Sequence, residues 1–343
     1  MISNRMQKLR GRRTDATMKA AVALDEAYDR IQDDEPIKYV VGTMQPLDKG
    51  YTKRTFEEGD RIKNQLGAIL NSEATQAEFE YQGSVTNDTH IRVHSDLDLL
   101  VIDTDFQSIE PPAKATNPYT GDPLLELRIL RARCAAALRR AFPAVLVDDS
   151  PGKCIALSGG SLKREIDVVI ANWWNTVDYQ QFGSEIYRGV KVLDSLMNER
   201  HENKPFLHNF RLGLKDDDVF GSLRKVIRFL KSLKYDADDK LEISSYDISA
   251  IVWNMPIQSL NVKRGQELLL VENTKRYLQS LLDNDIQRNL LAVPNGMRKV
   301  FGPGGATKEQ LMLLQLEVRE ISLDITSTLT KTYRSMNEAV VSY

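Results

Sequence analysis

Asp96 and Asp98, two residues apart at the head of the apolar run LDLLVI, and Asp167, inside the separate run EIDVVIA, are the side chains best placed to do chemistry. On an extended strand alternate residues share a face, so Asp96 and Asp98 project to one side while Leu97, Leu99 and Val101 project to the other. If the second run lies beside the first, Asp167 joins them. Close carboxylates repel one another, and a divalent cation that prefers oxygen ligands, Mg²⁺ or Mn²⁺, relieves the repulsion. Three acids can hold two ions, and two ions can activate an attacking hydroxyl and steady the leaving oxygen of an in-line phosphoryl displacement. An isolated Asp-X-Asp also describes a merely solubilising strand end. Gly83-Ser84 bears on that choice, because a glycine–serine turn lets backbone N–H groups and a hydroxyl approach a phosphate unobstructed, and Asp96 follows Ser84 by twelve residues.

Strands and helices must hold these residues in place. Leu97–Ile102 reads as a strand, and Ala144–Val147, Lys153–Leu157 and Glu165–Ala171 read as an antiparallel meander around the turn Asp148–Gly152. Between them Pro123–Phe142 reads as a helix stopped by Pro143. Met18, Ala21, Leu24, Tyr28 and Ile31 predict an opening helix over 16–32, and Thr55 is placed to cap a second one running to Leu70. Beyond about residue 200 the chain reads as helical. Thr307 and Gln310 make a capping box ahead of a long helix striped by Leu314, Val318, Ile321, Ile325 and Leu329. The expectation is an α/β catalytic lobe over 1–200 with the N-terminal helices, a helical lobe over 201–343, and a shared cleft between them.

In the helical half, Phe220–Tyr235 carries an apolar stripe of Leu223, Val226, Ile227 and Leu230 beside a basic stripe of Arg224, Arg228 and Lys231, which reads as an anion-binding or a solvated face. Ser244-Ser245-Tyr246-Asp247 opens a helix ended by Pro256. A helix N-terminus with a hydroxyl is an anion site and a tyrosine can stack on a base; the same residues also read as an ordinary cap and a core tyrosine. Trp173 and Trp174 read as base-pocket lining or as core, His90 and His94 as structural or surface residues, and Thr89 and Arg92 as braces of the loop.

Gly-Ser, a spacer, Asp-X-Asp and a later strand aspartate resemble the signature of the DNA polymerase β nucleotidyltransferase superfamily. The fuller string Gln82-Gly83-Ser84, Asn87-Asp88-Thr89, Ile91-Arg92 and Ser95-Asp96-Leu97-Asp98 is similar to one branch, the bacterial CD-NTases, relatives of animal cyclic GMP–AMP synthase and oligoadenylate synthase. The resemblance is tight over 81–103, supported at 165–171 and diffuse elsewhere. It implies an α+β, polymerase-β-like fold with a mixed, largely antiparallel sheet joined to a C-terminal helical bundle. It also implies two Mg²⁺ or Mn²⁺ ions on Asp96, Asp98 and Asp167, with Gln82, Gly83, Ser84, Lys231 and Ser245 around the triphosphate and Tyr246 on the base. Asp167 would lie nearest the acceptor hydroxyl and help to remove its proton. The implied substrates are ribonucleoside triphosphates, ATP among them. The implied product is a cyclic di- or trinucleotide second messenger of anti-phage CBASS signalling, sensed by an effector protein and subject to regulatory proteins. Where many members have a proline soon after the third-acid strand, Ile170-Ala171-Asn172 stands here, so base selectivity does not carry over. Competing readings are a relative that modifies an RNA end, a small molecule or a protein, and a silent nucleotide sensor. A sensor would have lost a metal ligand, and all three aspartates are present.

Composition narrows the classes further. Hydrophobic residues at 42% and charged residues at 27% are ordinary for a globular chain, and no run approaches the roughly twenty apolar residues a membrane helix needs. The basic N-terminus lacks a following apolar segment, and two cysteines, Cys134 and Cys154, have no zinc spacing, so a cytoplasmic location and small buried thiols are expected. A net charge of −2 disfavours long nucleic acid as a partner. Lys8–Arg13 is a local basic patch that reads as a phosphate contact or a solvated terminus.

Overall fold

The computed structural model describes residues 2–13, 35–91 and 95–341. The chain divides into two compact units, Lys49–Arg211 and, discontinuous in sequence, Met1–Asp48 with Leu212–Tyr343. The division falls between Arg211 and Leu212, and Met1–Asp48 cluster with the helical half. The expected helix over 16–32, and Arg92 and His94, lie outside the described residues.

The continuous unit is built on a seven-stranded sheet of β1 (Ala77–Gln82), β2 (Leu97–Ile109), β3 (Leu146–Asp148), β4 (Ile155–Ser158), β5 (Ile166–Asn175), β6 (Gly189–Asp194) and β7 (Glu199–Asn203). Its path is β1-β2-β5-β4-β3, with β6 pairing the far half of β5 and β7 pairing β6. Only β2 and β5 run parallel, and the expected meander of β3, β4 and β5 is antiparallel throughout. The alternation read from the sequence decides the faces. Leu97, Leu99 and Val101 of β2 and Ile166, Val168 and Ile170 of β5 are buried on one face, beneath residues of α3 (Lys49–Ser72) and α4 (Pro123–Ala141) such as Ile62, Leu66, Leu130 and Leu138. On the other face Leu100, Ile102, Val169 and Ala171 form a smaller cluster with Trp173, Val190 and Val192. Asp98 and Asp167 belong to that second face by the same alternation.

α4 starts where expected: Asp122 accepts from Leu124 N, and Pro123 occupies the first turn, where its missing N–H costs nothing. α3 corrects the sequence reading. It begins at Lys49, so Thr55 is not its cap but a buried interior residue whose hydroxyl donates to Tyr51 O at 3.0 Å. Tyr51 and Thr52, in that added turn, engage His90: the rings stack at 6.5 Å and Thr52 Oγ1 lies 3.0 Å from Nε2. Tertiary contacts thus extend a helix beyond its local start signal.

In the discontinuous unit α1 (Ile2–Arg13) and α2 (Glu35–Met44) share one core with α6 (Ser222–Asp236), α7 (Ser245–Trp253), α8 (Leu268–Asp283) and α9 (Lys308–Val341); α5 (Pro205–Asp218) contains the boundary between the units. The capping box of α9 forms as expected, Thr307 N donating to Gln310 Oε1 and Gln310 N to Thr307 Oγ1. The basic N-terminal patch is divided: Arg10 is exposed, whereas Lys8 and Arg12 are engaged within the unit. Arg12 grips the buried carboxylate of Asp236, which also accepts from Tyr39 Oη at 2.9 Å, and Lys8 Nζ donates to Asp236 O at 2.9 Å. Arg5 pairs with Glu317.

Candidate active site

Three of the predicted residues of the sheet unit, Gln82, Asp98 and Asp167, come together in one row. Gln82 at the end of β1 is the register partner of Asp98, and Asp98 is the register partner of Asp167 on the parallel strand β5. Register partners share a face and lie about 5 Å apart, so side chains that are 16 and 69 residues distant in sequence become neighbours. Asp96 precedes β2 and is exposed. Among the described residues no three His, Cys, Asp or Glu side chains are drawn into one ion-holding cluster. The carboxylates of Asp98 and Asp167 on adjacent strands are nevertheless oxygen donors of the kind a hard divalent cation prefers. Burial pushes the Asp167 carboxyl above its ordinary range, a hydrogen bond from Cys154 offsets part of this, and the Glu165 charge adds to it.

Gly83 follows β1 at φ +84°, and a Cβ there would lie 2.0 Å from Asp98 Oδ2. That backbone conformation favours glycine, and a side chain there would have to displace the Asp98 carboxylate. The loop that follows is closed by Thr89 N donating to Ser84 O at 3.0 Å and by Thr86 Oγ1 donating to Gly83 O at 2.8 Å. Thr89 braces it as expected, its buried hydroxyl donating to Asn87 Oδ1 at 2.6 Å. His90 is 2% exposed and structural.

The helical unit carries the remaining candidates on α6 and α7. The basic stripe of α6 is not a solvated face: Arg224 pairs with Asp216, and buried Arg228 donates to Met44 O at 3.0 Å. Lys231 is only 1% exposed. Ser244 caps α7, accepting from Asp247 N at 2.9 Å and donating to Asp247 Oδ2 at 2.7 Å, and Ser245 begins the helix. Tyr246 is half-buried, its hydroxyl donates to Asn295 Oδ1 at 3.1 Å, and the Arg298 guanidinium lies 5.2 Å from its ring centre. Trp173 and Trp174 are buried, and Trp173 Nε1 donates to Glu78 Oε2 at 2.8 Å, a core role with a satisfied polar atom.

Two roles escaped the sequence reading, and Cys154, expected to be a buried thiol, is only half-buried. Cys154 stands beside the third acid and hydrogen-bonds it; burial, then the Asp167 charge, pushes its thiol up to about 12. Period-two alternation from Ala156, the register partner of Asp167, would have put Cys154 on the acid face. Asn209 of α5 reaches Asn87 and Thr86 in the Gly83 loop, and no local signal marks it.

A mixed, mostly antiparallel sheet that sets two aspartates side by side behind a Gly-Ser turn, with a separate C-terminal helical bundle, defines a nucleotidyltransferase fold. Residues 211–320 match the family described as the cGAS/DncV-like nucleotidyltransferase C-terminal helical domain. The chain is 39% identical over 318 residues, 90% of its length and 83% of the relative's, to the cyclic dinucleotide synthase CdnE of Yersinia aleksiciae. It superposes on the STING-associated CdnE c-di-GMP synthase of Capnocytophaga granulosa with a TM-score of 0.79 at 28% identity, covering 95% of this chain and 99% of that one. The CdnE c-UMP-AMP synthase of Rhodothermus marinus shares the fold, with a TM-score of 0.61 at 17% identity over 81% of this chain and 93% of that one. The chain therefore belongs to the CD-NTase family of nucleotidyltransferases. None of its described helices is long and apolar enough to cross a membrane.

Proposed function

We propose that this protein joins two ribonucleoside triphosphates into a cyclic dinucleotide and releases pyrophosphate at each bond formed. The observation that carries this reading is the row Gln82–Asp98–Asp167 with Gly83 fitted against Asp98, in a chain similar over most of its length to a cyclic dinucleotide synthase. Gly83 and Ser84 offer backbone N–H groups and a hydroxyl to the donor triphosphate. Lys231 and Ser245 are the helical unit's candidates for the phosphates, and Tyr246, its far edge held by Asn295, for a base. Asp167 takes the proton of the acceptor ribose hydroxyl as that oxygen attacks the donor α-phosphorus. Asp96, Asp98 and Asp167 would hold two Mg²⁺ or Mn²⁺ ions, which when bound supply charge neutralisation at the attacking and leaving oxygens. The product would be a second messenger read by an effector protein in cytoplasmic anti-phage signalling of the CBASS type, in keeping with the STING association in the name of the Capnocytophaga relative.

The test is incubation with all four labelled ribonucleoside triphosphates and Mg²⁺ or Mn²⁺, followed by phosphatase and chromatography, beside Asp98→Ala and Asp167→Asn. The expected result is a phosphatase-resistant dinucleotide whose rate of formation falls by at least about 100-fold in either variant. The same yield from both variants would overturn the assignment of the acids. A linear tailed RNA or a labelled protein would favour the competing transferase reading.

A further inference from the structure

We infer that Asn209, on α5, is a positioning residue that sets the shape of the Gly83-Ser84 loop from outside the motif and thereby its affinity for the triphosphate. The inference rests on the reading of that loop as the phosphate cradle.

The geometry is a chain of hydrogen bonds whose direction is fixed at every step. Thr86 Oγ1 donates its one proton to Gly83 O at 2.8 Å, so toward Asn209 it can only accept. Asn209 Nδ2 supplies the donor at 2.8 Å, which turns its carbonyl end, Oδ1, to Asn87 Nδ2 at 3.1 Å. Asn87 is thereby oriented with its own Oδ1 toward the Thr89 hydroxyl at 2.6 Å, and Thr89 N closes the loop on Ser84 O at 3.0 Å. Both ends of one amide are used, and they brace the loop at its two sides. Asn87 and Thr89 are buried, so water does not readily replace the bonds they make, while Asn209 and Thr86 are half-buried. The braced carbonyls are those of Gly83 and Ser84, whose peptide groups also orient the N–H groups offered to phosphate.

An aspartate at 209 has the same shape and no N–H. It still accepts from Asn87 but faces the Thr86 hydroxyl with another acceptor, and that hydroxyl then turns to it and abandons Gly83 O. The amide nitrogen, rather than the volume of the side chain, is the active feature.

Asn209→Ala, Asn209→Asp, Thr86→Val and Asn209→Ala/Thr86→Val would be compared in the full chain by initial rates with the four triphosphates and Mg²⁺, with thermal midpoints alongside. Ser84→Asp, which places a negative charge in the cradle, serves as the control on the underlying reading. The expected result is an apparent KM raised about tenfold by Asn209→Ala, with kcat little changed. Asn209→Asp should be no better than Asn209→Ala, and the double variant no worse than the poorer single one, as coupling through one bond requires. Normal KM in Asn209→Ala, fully additive effects, or full rescue by aspartate would each overturn the role of the amide while Ser84→Asp remains impaired. Normal KM in Ser84→Asp as well would instead remove the phosphate cradle on which the inference stands.

Discussion

Asp103 is a carboxylate in the middle of β2, 6% exposed, that takes no part in the row of acids. Burial raises it to about 6, against the one hydrogen bond it accepts from Asp105 N at 2.9 Å, with the charges of Asp105 and Glu126 adding to the rise. A folded-state value above the unfolded one means that the native protein binds the extra proton between about pH 4 and 6, so stability falls as pH rises through that window and stays lowered above it. Asp103→Asn, which can still accept from Asp105 N, should therefore raise the thermal midpoint at pH 7.5 and change it little at pH 4. Scanning calorimetry at the two pH values checks this, and equal shifts at both would contradict it. At this scale the sequence was readable where chemistry follows the strand period: Asp98, Asp167 and Gly83 stand where alternation and the turn put them. Cys154 and Asn209 were not readable, because their roles arise from cross-strand and helix-to-loop proximity that no neighbouring residue encodes.

α1 shows what local reading misses at the level of elements. Its residues carry a basic pattern that composition assigns to solvent, yet Arg12 is 9% exposed and its partner Asp236 1%. Removing one side of a buried ion pair leaves the other charge stranded, at a cost of about 3–5 kcal/mol. Arg12→Ala should lower the urea midpoint accordingly, and Arg12→Lys, which keeps the charge but loses the two-pronged grip, should recover only part. Long, strongly patterned elements such as α4, α6 and α9 were legible, as were β2 and the meander. β1, β6 and β7 were not read. β1 alternates Ala77, Phe79 and Tyr81 with Glu78, Glu80 and Gln82, a period-two signal that was passed over, whereas Glu199–Asn203 is polar throughout and becomes a strand because β6 offers it an edge. The late start assigned to α3 has the same origin, since Tyr51 and Thr52, ahead of Thr55, are held by His90.

Over the whole molecule the charges nearly cancel, with 46 basic against 48 acidic side chains. Nothing in that balance favours a polyanion of unlimited length, and two of the cations read as a binding face, Arg224 and Arg228, are engaged by Asp216 and Met44 O. A long single-stranded RNA should bind no tighter than roughly 10⁻⁴ M at near-physiological salt, the weak end of non-specific binding, and should leave the rate of triphosphate turnover unchanged. Fluorescence anisotropy and a turnover assay with added RNA measure both. A tight, salt-sensitive complex would restore the RNA-end reading.

The split of one unit across the chain also orders events at the ribosome. Arg12 and Asp236 are 224 residues apart, so at 5–20 residues per second roughly 10–45 s pass between the emergence of α1 and that of its partner. The sheet unit, contiguous over Lys49–Arg211, is complete before then. A nascent chain interrupted in this interval carries the aspartates on a finished sheet, while the apolar faces of α1 and α2 still lack the core that covers them. Such a fragment exposes apolar helix faces of the kind that chaperones bind, and they are covered only once the residues from Leu212 onward have been made.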